Sequence, residues 1–470
     1  MTNPSNIVLI KNGTIVTPDA VVKGDLLVIG EKIAQIGGII PLPKTDRHDS
    51  TIIDATDKYV LPGGIDVHTH FNLDIGIAVA QDDFYSGTVA AAMGGTTTII
   101  DHPGFGPLGC SLFHQIEKYH GYAKGSAVID YSFHGVFQHL NDKILEQIPL
   151  LADQGITSMK VYMTYDYKFS DKMLYNVFKK AKKSGVLIAV HAEDDAMIQK
   201  LRKKFIEQGR KEAVYHALSR PPEAEANAVK KVIELADKAG NVPVYIVHLS
   251  TKDGLAHIKK AKESGQNIIA ETCPQYLLLD EALYNLPNHE GLKYVMSPPL
   301  RQEKDQAALW KGLLDQTISV VGTDHCPFDF KLKKQLASHD FSKCPGGASG
   351  VETRIPLMFS KGVQDKRITL LEFARITAEN PARIMGLYPK KGVIAKGSDA
   401  DIIIMDPEQK VRISKKILHE NVDYSPYEGF NIVGWPILTM LRGNVIVKDK
   451  VFTGKKGFGK FIKRKRFTIK

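Results

Sequence analysis

Short apolar runs alternate with longer amphipathic segments along most of the chain. Eight runs rich in β-forming residues are predicted as strands: residues 64–68, 96–101, 128–134, 157–163, 186–191, 243–248, 267–272 and 317–323. Charge-bearing segments between them are predicted as helices, among them residues 171–183, 222–239, 252–263 and 303–315. Eight β–α units in series favour a parallel (β/α)8 barrel of the α/β class over an open sheet.

The two ends of the chain follow a different pattern. Residues 7–58 and 392–452 contain short alternating segments separated by turns. Neither end has enough strands for a sandwich of its own, so we expect both ends to form one small β domain beside the barrel. The predicted parts are a first sandwich segment at 1–58, the barrel at 59–388, a second sandwich segment at 389–452 and a basic tail at 453–470.

Composition narrows the class of protein. A chain of 470 residues exceeds what one hydrophobic core usually supports, so two domains are expected. Four cysteines without a CxxC motif argue against a disulfide framework and against a thiolate zinc site. No stretch approaches about 20 uninterrupted apolar residues, and the N-terminus lacks a basic-then-apolar signal. The composition therefore predicts a cytoplasmic protein that does not enter a membrane.

Most of the formal net charge of +10 lies in the basic tail. Residues 451–470 contain eight Lys or Arg and no acidic residue. The tail mixes bases with aromatic residues, which could suit nucleic acid. The rest of the chain offers no basic face, so no nucleic-acid partner is predicted. We expect the tail to lie on a neighbouring subunit or to stay solvated.

A histidine pair follows the first predicted barrel strand. His68 and His70 occupy positions i and i+2 of an extended run, so their imidazoles project side by side. Neutral imidazoles in this arrangement can bind one divalent metal ion. The chain contains 16 histidines, so this pair alone is weak evidence.

Three further apolar runs end in a residue that can bind a metal ion. His191, His248 and Asp324 each directly follow such a run. Active sites of (β/α)8 barrels lie at the carboxyl ends of the strands, so these side chains should meet the histidine pair at one mouth. A purely structural histidine has no reason to concentrate there, and the repetition predicts a metal centre.

Seven motifs resemble those of the hydantoinase/dihydropyrimidinase branch of the amidohydrolase superfamily. In chain order they are Asp66-Val-His-Thr-His70, Met159-Lys-Val-Tyr-Met-Thr-Tyr165, His191-Ala-Glu193, His248-Leu-Ser250, Glu271-Thr-Cys-Pro-Gln-Tyr276, Met296-Ser-Pro-Pro-Leu-Arg301 and Gly322-Thr-Asp-His-Cys-Pro327. The lysine and Ser-Pro-Pro-Leu-Arg motifs separate this branch from allantoinases and dihydroorotases. The resemblance implies a distorted (β/α)8 barrel, a composite β-sandwich, two zinc ions per subunit and a homotetramer or homodimer.

The resemblance also implies a complete set of metal ligands. One zinc ion would be bound by His68, His70 and Asp324, and the other by His191 and His248. Lys160 would carry a carboxylate on its ε-amine, as N6-carboxylysine, and would bridge both metals together with a hydroxide. An unmodified ammonium among these ligands would be repelled by the metals and poorly solvated.

The implied reaction is hydrolysis of a ring amide by the metal-bound hydroxide. Asp324 would take the proton and pass it to the leaving nitrogen. Tyr165, five residues after Lys160, would donate a hydrogen bond to the developing oxyanion. Ser297 and Gly346 would bind the cyclic imide through backbone groups. Where many hydantoinases have Pro-Asn-Gly, this chain has Gly346 in the middle position, so a side-chain contact is lost.

Two classes of function remain open at the level of sequence. The first is a binuclear zinc hydrolase that opens 5-substituted hydantoins or dihydropyrimidines to N-carbamoyl amino acids, with an allantoinase-type ureide hydrolase as the alternative. The second is a non-enzymatic scaffold on the same fold, which the complete ligand set disfavours. Phe71, Leu73 and Ile75 would either contact the ring substituent or cover the barrel mouth. If they contact it, these side chains and Tyr162 would select among substrates.

Overall fold

The computed structural model describes residues 6–43 and 50–468. Residues 1–5, in which the sequence shows no signal-peptide pattern, lie outside this range, as do residues 44–49 and 469–470. Within the described residues, no helix combines the length and the apolar character needed to cross a membrane.

Strands and helices alternate through the middle of the described chain. The strands are β1 (Ile7–Val16), β2 (Val21–Ile29), β3 (Lys32–Ile36), β4 (Ser50–Asp54), β5 (Tyr59–Pro62), β6 (Gly64–Thr69), β7 (Thr96–Asp101), β8 (Asp130–Phe133), β9 (Gly135–Val136), β10 (Ser158–Tyr162), β11 (Leu187–His191), β12 (Val244–Ile246), β13 (Ile268–Thr272), β14 (Val320–Val321), β15 (Ile402–Arg412), β16 (Asn431–Leu441), β17 (Asn444–Lys448) and β18 (Val451–Phe452). The α-helices are α1 (Phe84–Met93), α2 (Leu112–Ala123), α3 (Asp142–Asp153), α4 (Asp171–Ser184), α5 (Asp195–Glu207), α6 (Val214–Leu218), α7 (Pro222–Lys238), α8 (Lys252–Glu263), α9 (Pro274–Leu278), α10 (Glu303–Leu314), α11 (Phe330–Ala337), α12 (Arg354–Met358), α13 (Leu370–Ala374) and α14 (Asn380–Ile384).

Parallel strands β6 to β14 form the barrel and confirm the predicted α/β architecture. One sheet has the order β6-β7-β8, and the other runs from β9 to β14. The third predicted strand, 128–134, corresponds to β8 alone, which pairs with β7, and the separate strand β9 follows it and pairs with β10. A parallel bridge between Thr69 and His325 connects the first strand to the segment after the last. The barrel is therefore distorted, as the resemblance implies.

Helix α4 shows how the local sequence defines these elements. The Ser170 side chain caps the helix by accepting a hydrogen bond from the backbone N–H of Met173. The buried residues recur every three or four positions and lie on one face: Leu174, Val177, Phe178 and Ala181. Gly185 ends the helix with a φ of 61°, a left-handed conformation that costs glycine little. The helix predicted at 171–183 therefore begins and ends close to the observed bounds.

Both ends of the chain contribute to one nine-stranded mixed sheet. Its order is β18-β17-β16-β15-β5-β1-β2-β3, and β4 pairs with β1. Strand β5 pairs with β1 on one side and with β15 on the other. Residues 59–62 were predicted as the start of the barrel, but in the structure they belong to this sheet. Val60 is buried in the apolar cluster of the sheet.

A buried ion-pair network joins the sheet to the barrel. The ammonium nitrogen of Lys391 lies 2.7 Å from Asp130, 3.1 Å from Asp399 and 2.6 Å from Asp401. Arg442 also pairs with Asp130, at 3.1 Å. Asp130 begins β8 of the barrel, whereas Asp401 directly precedes β15 of the sheet. The three carboxylates thus surround a lysine, and the cluster has a structural role.

The basic tail packs on the barrel of its own chain, which corrects the expectation of a solvated or subunit-bridging segment. Phe461 forms a parallel bridge with Tyr131 in β8, and its ring stacks on Phe133 at 5.9 Å. Arg464 is buried beside the same strand and donates to the carbonyl oxygen of Phe133. Aromatic side chains and a buried arginine therefore hold the tail in place.

Candidate active site

A cavity of about 660 Å³ opens at the carboxyl ends of the barrel strands. Every site residue predicted from the sequence lines it: His68, His70, Lys160, Tyr165, His191, His248, Ser297, Asp324 and Gly346. Strands β6, β10 and β11 carry three of these side chains, and the others lie on the segments that follow the strands. The structure thus brings together residues that are far apart in sequence.

Asp324 lies between the members of the histidine pair. Its Oδ1 atom is 3.2 Å from the Nε2 atoms of both His68 and His70. The Lys160 amine is 3.4 Å from the same His68 nitrogen. Potential ligand atoms of His68, His248 and Asp324 all lie within 4.8 Å of one another. This cluster has the composition and the compactness of a metal site.

His191 lies on the other side of His248. The two rings have centroids 4.5 Å apart. The Nε2 atom of His191 faces the carboxylate of Glu193 at 2.6 Å, which leaves its Nδ1 atom free to face the cavity. The predicted second ligand pair is therefore adjacent to the first cluster.

Two buried glutamates orient the histidines, and the sequence analysis did not assign them this role. Glu271 Oε1 is 2.6 Å from His68 Nδ1, and its other oxygen accepts a hydrogen bond from the Tyr245 hydroxyl at 2.7 Å. Glu193 holds His191 in the same way. Carboxylates that accept from the non-ligating ring nitrogen are typical of metal-binding histidines. Both glutamates lie within motifs quoted above, so the signal was present, but their partners were not recognised.

The donor set fits a metal ion. The buried Nδ1 atom of His248 has no hydrogen-bond partner among the described residues. Unpaired buried polar atoms are costly in a folded protein unless a ligand satisfies them. Imidazole and carboxylate donors without thiolates match zinc and related divalent metals. The arrangement therefore provides ligands for a metal ion at the barrel mouth.

The charges of the site depend strongly on burial. Burial lowers the pKa of Lys160 from 10.5 to about 8. Burial alone would raise the pKa of Asp324, but His68 and His70 lower it to about 2. Asp324 is therefore an anion at neutral pH, as a metal ligand must be.

Three of the site residues adopt left-handed backbone conformations. The φ angles are 70° at Tyr165, 39° at His248 and 54° at Asp324. Such conformations cost free energy in residues other than glycine, and they concentrate at functional sites. The strand predicted to end at residue 248 therefore ends earlier, at Ile246, because the chain turns at His248 to bring its ring into the cavity.

Tyr165 is placed to donate a hydrogen bond into the cavity. It lines the cavity together with Ser297, and the guanidinium of Arg220 lies 5.3 Å from its ring centroid. Burial raises the pKa of Tyr165, although Arg220 opposes this shift. The phenol therefore keeps its proton at neutral pH and remains a donor.

The loop that carries Gly346 is held by a buried lysine. The ammonium of Lys333 donates to the carbonyl oxygens of Val295 and Gly347, at 3.2 Å and 2.6 Å. Gly347 has a φ of 144°, and a Cβ atom there would lie 2.3 Å from the carbonyl oxygen of Cys326. Only glycine fits this close approach. Gly346 is thereby held beside Met296, which precedes Ser297.

The apolar residues predicted near the mouth divide into two groups. Leu73, Ile75 and Tyr162 line the cavity. Phe71 instead packs in the core, with its ring 5.6 Å from that of Phe84 and 5.4 Å from that of His325. The expectation that Phe71 contributes apolar surface to the mouth is therefore wrong, because its backbone N–H bonds with buried Asp101 and directs the side chain inwards.

Comparison with known proteins identifies the family. The model of the amidohydrolase family matches residues 59–446. The chain belongs to the amidohydrolase family. The D-phenylhydantoinase of Escherichia coli O9:H4 (strain HS) is 51% identical over 460 residues, which cover 98% of this chain and 98% of that protein.

Solved structures of other amidohydrolases resemble the whole fold. The dihydropyrimidinase from Brevibacillus agri NCHU1002 has a TM-score of 0.95 and 41% sequence identity, over 99% of this chain and 100% of that chain. The L-hydantoinase (dihydropyrimidinase) from Arthrobacter aurescens has a TM-score of 0.87 and 30% sequence identity, over 99% of this chain and 100% of that chain. These matches confirm that this amidohydrolase belongs to the hydantoinase/dihydropyrimidinase branch and is an enzyme.

Proposed function

We propose that the protein is a binuclear zinc hydrolase that opens 5-substituted hydantoins or dihydropyrimidines to N-carbamoyl amino acids. Its branch makes it a hydrolase of cyclic amides. The observation that carries the finer proposal is the convergence of six potential ligands in one cavity. Two histidines of this set, His68 and His191, are oriented by buried carboxylates, an arrangement that a scaffold without a metal would not need.

The ligands divide between two metal ions. His68, His70 and Asp324 would bind one zinc ion, His191 and His248 the other, and carboxylated Lys160 would bridge them. Two zinc ions bound there would supply Lewis acidity, which would make a water molecule acidic enough to lose a proton near neutral pH. Carboxylation replaces a buried cation with an anion, so Lys160 then attracts the metals instead of repelling them.

Asp324 and Tyr165 would perform the proton and charge chemistry. The Asp324 carboxylate is within reach of both imidazoles of the histidine pair and can accept the proton of the attacking water. It then delivers this proton to the leaving ring nitrogen. The Tyr165 hydroxyl donates a hydrogen bond to the oxygen on which negative charge develops.

Ser297 and Gly346 would hold the ring of the substrate. Both line the cavity next to Tyr165 and offer backbone groups that complement a cyclic imide. His216 Nε2 fixes this segment through the carbonyl oxygen of Met296, at 2.8 Å. Hydantoins and dihydropyrimidines share the imide, so these contacts define the substrate class and not the individual ring.

A homotetramer in the cytoplasm is proposed from the branch to which the chain belongs. Large apolar side chains are exposed on the sheet domain and beside the cavity, including Ile39, Ile52 and Leu108. Exposed apolar surface of this kind favours association. Light scattering coupled to size-exclusion chromatography would measure the mass, and a monomer at micromolar concentration would contradict the assembly.

A substrate panel tests the proposed reaction. Hydantoin, 5-phenylhydantoin, dihydrouracil, dihydrothymine and allantoin would be supplied to the zinc-loaded protein, and the carbamoyl products would be measured. We expect turnover of hydantoins or dihydropyrimidines with a higher kcat/KM than that of allantoin. Preference for allantoin would support the alternative ureide hydrolase, and the absence of turnover on all five would contradict the proposal.

A further inference from the structure

His134 connects two strands that carry candidate metal ligands. It lies between β8 and β9 and is only 1% exposed. Its Nε2 atom is 2.9 Å from the carbonyl oxygen of Val67, and its Nδ1 atom is 2.6 Å from the hydroxyl of Ser158. Val67 directly precedes His68, and Ser158 lies two residues before Lys160. One imidazole therefore connects strand β6, next to His68, with strand β10, near Lys160.

The hydrogen bonds define the tautomer of His134. A carbonyl oxygen only accepts, so Nε2 carries the proton and donates to Val67. The Nδ1 atom of this neutral ring then accepts the hydrogen bond of the Ser158 hydroxyl. All three groups are buried, so each bond fixes the distance between strands without competition from water.

A stack of rings links His134 to the histidine pair. The rings of His134 and His102 are nearly parallel, with centroids 3.9 Å apart and planes 9° apart. The His102 ring lies 4.4 Å from that of His68 and 5.3 Å from that of His70. Neither nitrogen of His102 has a hydrogen-bond partner in the described part of the chain. His102 therefore contacts the histidine pair through packing, and the ring of His134 stacks on the ring of His102.

The basic tail holds the strand on which His134 lies. Arg464 donates from Nε to the hydroxyl of Ser132 at 3.0 Å and from Nη2 to the carbonyl oxygen of Phe133 at 2.6 Å. These two residues directly precede His134. The tail thus contacts the strand at the point where its pairing changes from β7 to β10.

We infer that His134 is a positioning residue for the metal centre and that Arg464 of the tail holds it in place. His134 sets the separation between His68 and Lys160, and through His102 it supports the histidine pair. The inference rests on the proposed metal-dependent function and adds to it a role for a buried histidine and for the tail. Partners of this kind typically change metal affinity or activity by about 10–100-fold when they are removed.

The main test compares His134→Phe with the wild-type protein after loading with zinc. Phenylalanine keeps the ring and its stack on His102 but removes both hydrogen bonds. We expect zinc dissociation constants, measured by chelator competition, to rise at least tenfold. We also expect kcat for a hydantoin to fall while KM changes little, and the visible spectrum of the cobalt-substituted protein to shift. Arg464→Met should change the zinc dissociation constant, kcat and the cobalt spectrum in the same directions, but by smaller amounts.

A matched control separates positioning from general destabilisation. Arg442 is buried and, like Arg464, joins β8 to the tail, through Asp130 and the carbonyl oxygen of Phe458. It contacts the strand at the end distant from His134. Arg442→Met should lower the urea midpoint while zinc affinity and the cobalt spectrum stay as in wild type. Equal losses of zinc affinity in Arg442→Met and Arg464→Met would overturn the inference.

Further outcomes are decisive even if one variant fails to fold. Ser158→Ala removes one bond of His134 and should reproduce part of the loss of zinc affinity. Wild-type zinc affinity and kcat in Ser158→Ala, or in a folded His134→Phe, would overturn the inference. In both cases the wild-type protein would still bind zinc and hydrolyse hydantoins, so the proposed function would stand. A wild-type protein without zinc would instead contradict the proposed function itself.

Discussion

The chemistry of the site depends on single residues whose surroundings change their ordinary properties. Lys160 is buried next to His68 and lies in a cavity that is lined by five imidazoles. Tyr165 lies beside Arg220 at a left-handed backbone position, in the same cavity as Ser297. A lysine and a tyrosine are common residues, and only their location at the strand ends gives them a proposed catalytic role.

Replacing Lys160 should remove the bridge between the metals. We expect Lys160→Ala to lose most of its zinc and most of its hydantoin hydrolysis. The two metal ions would still repel each other, and the carboxylate that bridges them would be gone. A short carboxylic acid added to Lys160→Ala should restore part of the activity by supplying a bridging carboxylate. Lys203→Ala, at a side chain that is 78% exposed, is the control. Full activity with a bare amine at residue 160 in a high-resolution map would contradict the carboxylation.

Removing one donor should affect the chemical step alone. Tyr165→Phe keeps the ring that packs beside Arg220 and deletes the hydroxyl. Loss of one preorganised donor to an oxyanion typically lowers kcat by about 10²–10³-fold. We expect this loss together with normal zinc content, whereas Tyr122→Phe on the surface of α2 should behave as wild type. Nearly unchanged turnover in Tyr165→Phe would show that Tyr165 packs in the site and does not stabilise the oxyanion.

At the scale of elements, the loop after β6 is the part of the cavity best placed to choose the ring substituent. Leu73 and Ile75 line the cavity, while Ile77 of the same loop is 59% exposed. The loop is held by hydrogen bonds between the backbones of Leu73 and Ala80 and of Ile75 and Ala78. Its apolar side chains can therefore contact a substrate without rearrangement of the loop.

Truncating these side chains should change preference more than metal binding. Burial gains about 25 cal/mol for each Å2 of apolar surface, so Leu73→Ala and Ile75→Ala should lower kcat/KM for 5-phenylhydantoin more than for unsubstituted hydantoin. Ile77→Ala is the matched control and should leave the ratio unchanged. Equal losses on both rings would show that the loop supports the site without selecting the substrate.

At the scale of the whole molecule, the sheet and the barrel depend on one buried ion-pair network. Burial alone would lower the pKa of Lys391, but Asp401, Asp130 and Asp399 raise it above its usual value, so the side chain stays charged through neutral pH. Lys391→Met would leave buried carboxylates without their main partner. Breaking a buried pair in this way typically costs about 3–5 kcal/mol.

Urea unfolding measures this dependence. We expect the free energy of unfolding of Lys391→Met to fall by roughly that amount, with the sheet and the barrel no longer unfolding together. Lys32→Met is the control, because Lys32 pairs with Asp399 from a half-exposed position, where ion pairs contribute about 1 kcal/mol or less. Similar losses in the two variants would contradict a special role for Lys391.

Local patterns predicted the barrel and the candidate metal cluster because each strand, and each ligand at the end of a strand, is marked by the residues next to it in the sequence. The spacing of His68 and His70 and the position of Asp324 after a strand were visible in the sequence, and the bounds of α8 match the prediction. Contacts between distant residues were not visible. Glu271 meets His68 across 203 positions, and Arg464 meets Ser132 across 332. No local periodicity encodes such pairs, so the orienting carboxylates and the packed tail required the structure.

The direct test of the central claim is a measurement of bound metal together with activity. The purified protein would be analysed by inductively coupled plasma mass spectrometry before and after dialysis against a strong chelator, with hydantoin hydrolysis followed in parallel. The ligand set predicts about two zinc ions per chain, loss of activity on their removal, and recovery when zinc and bicarbonate are returned. A protein that contains no metal and hydrolyses hydantoins at the same rate after chelation would contradict the binuclear centre.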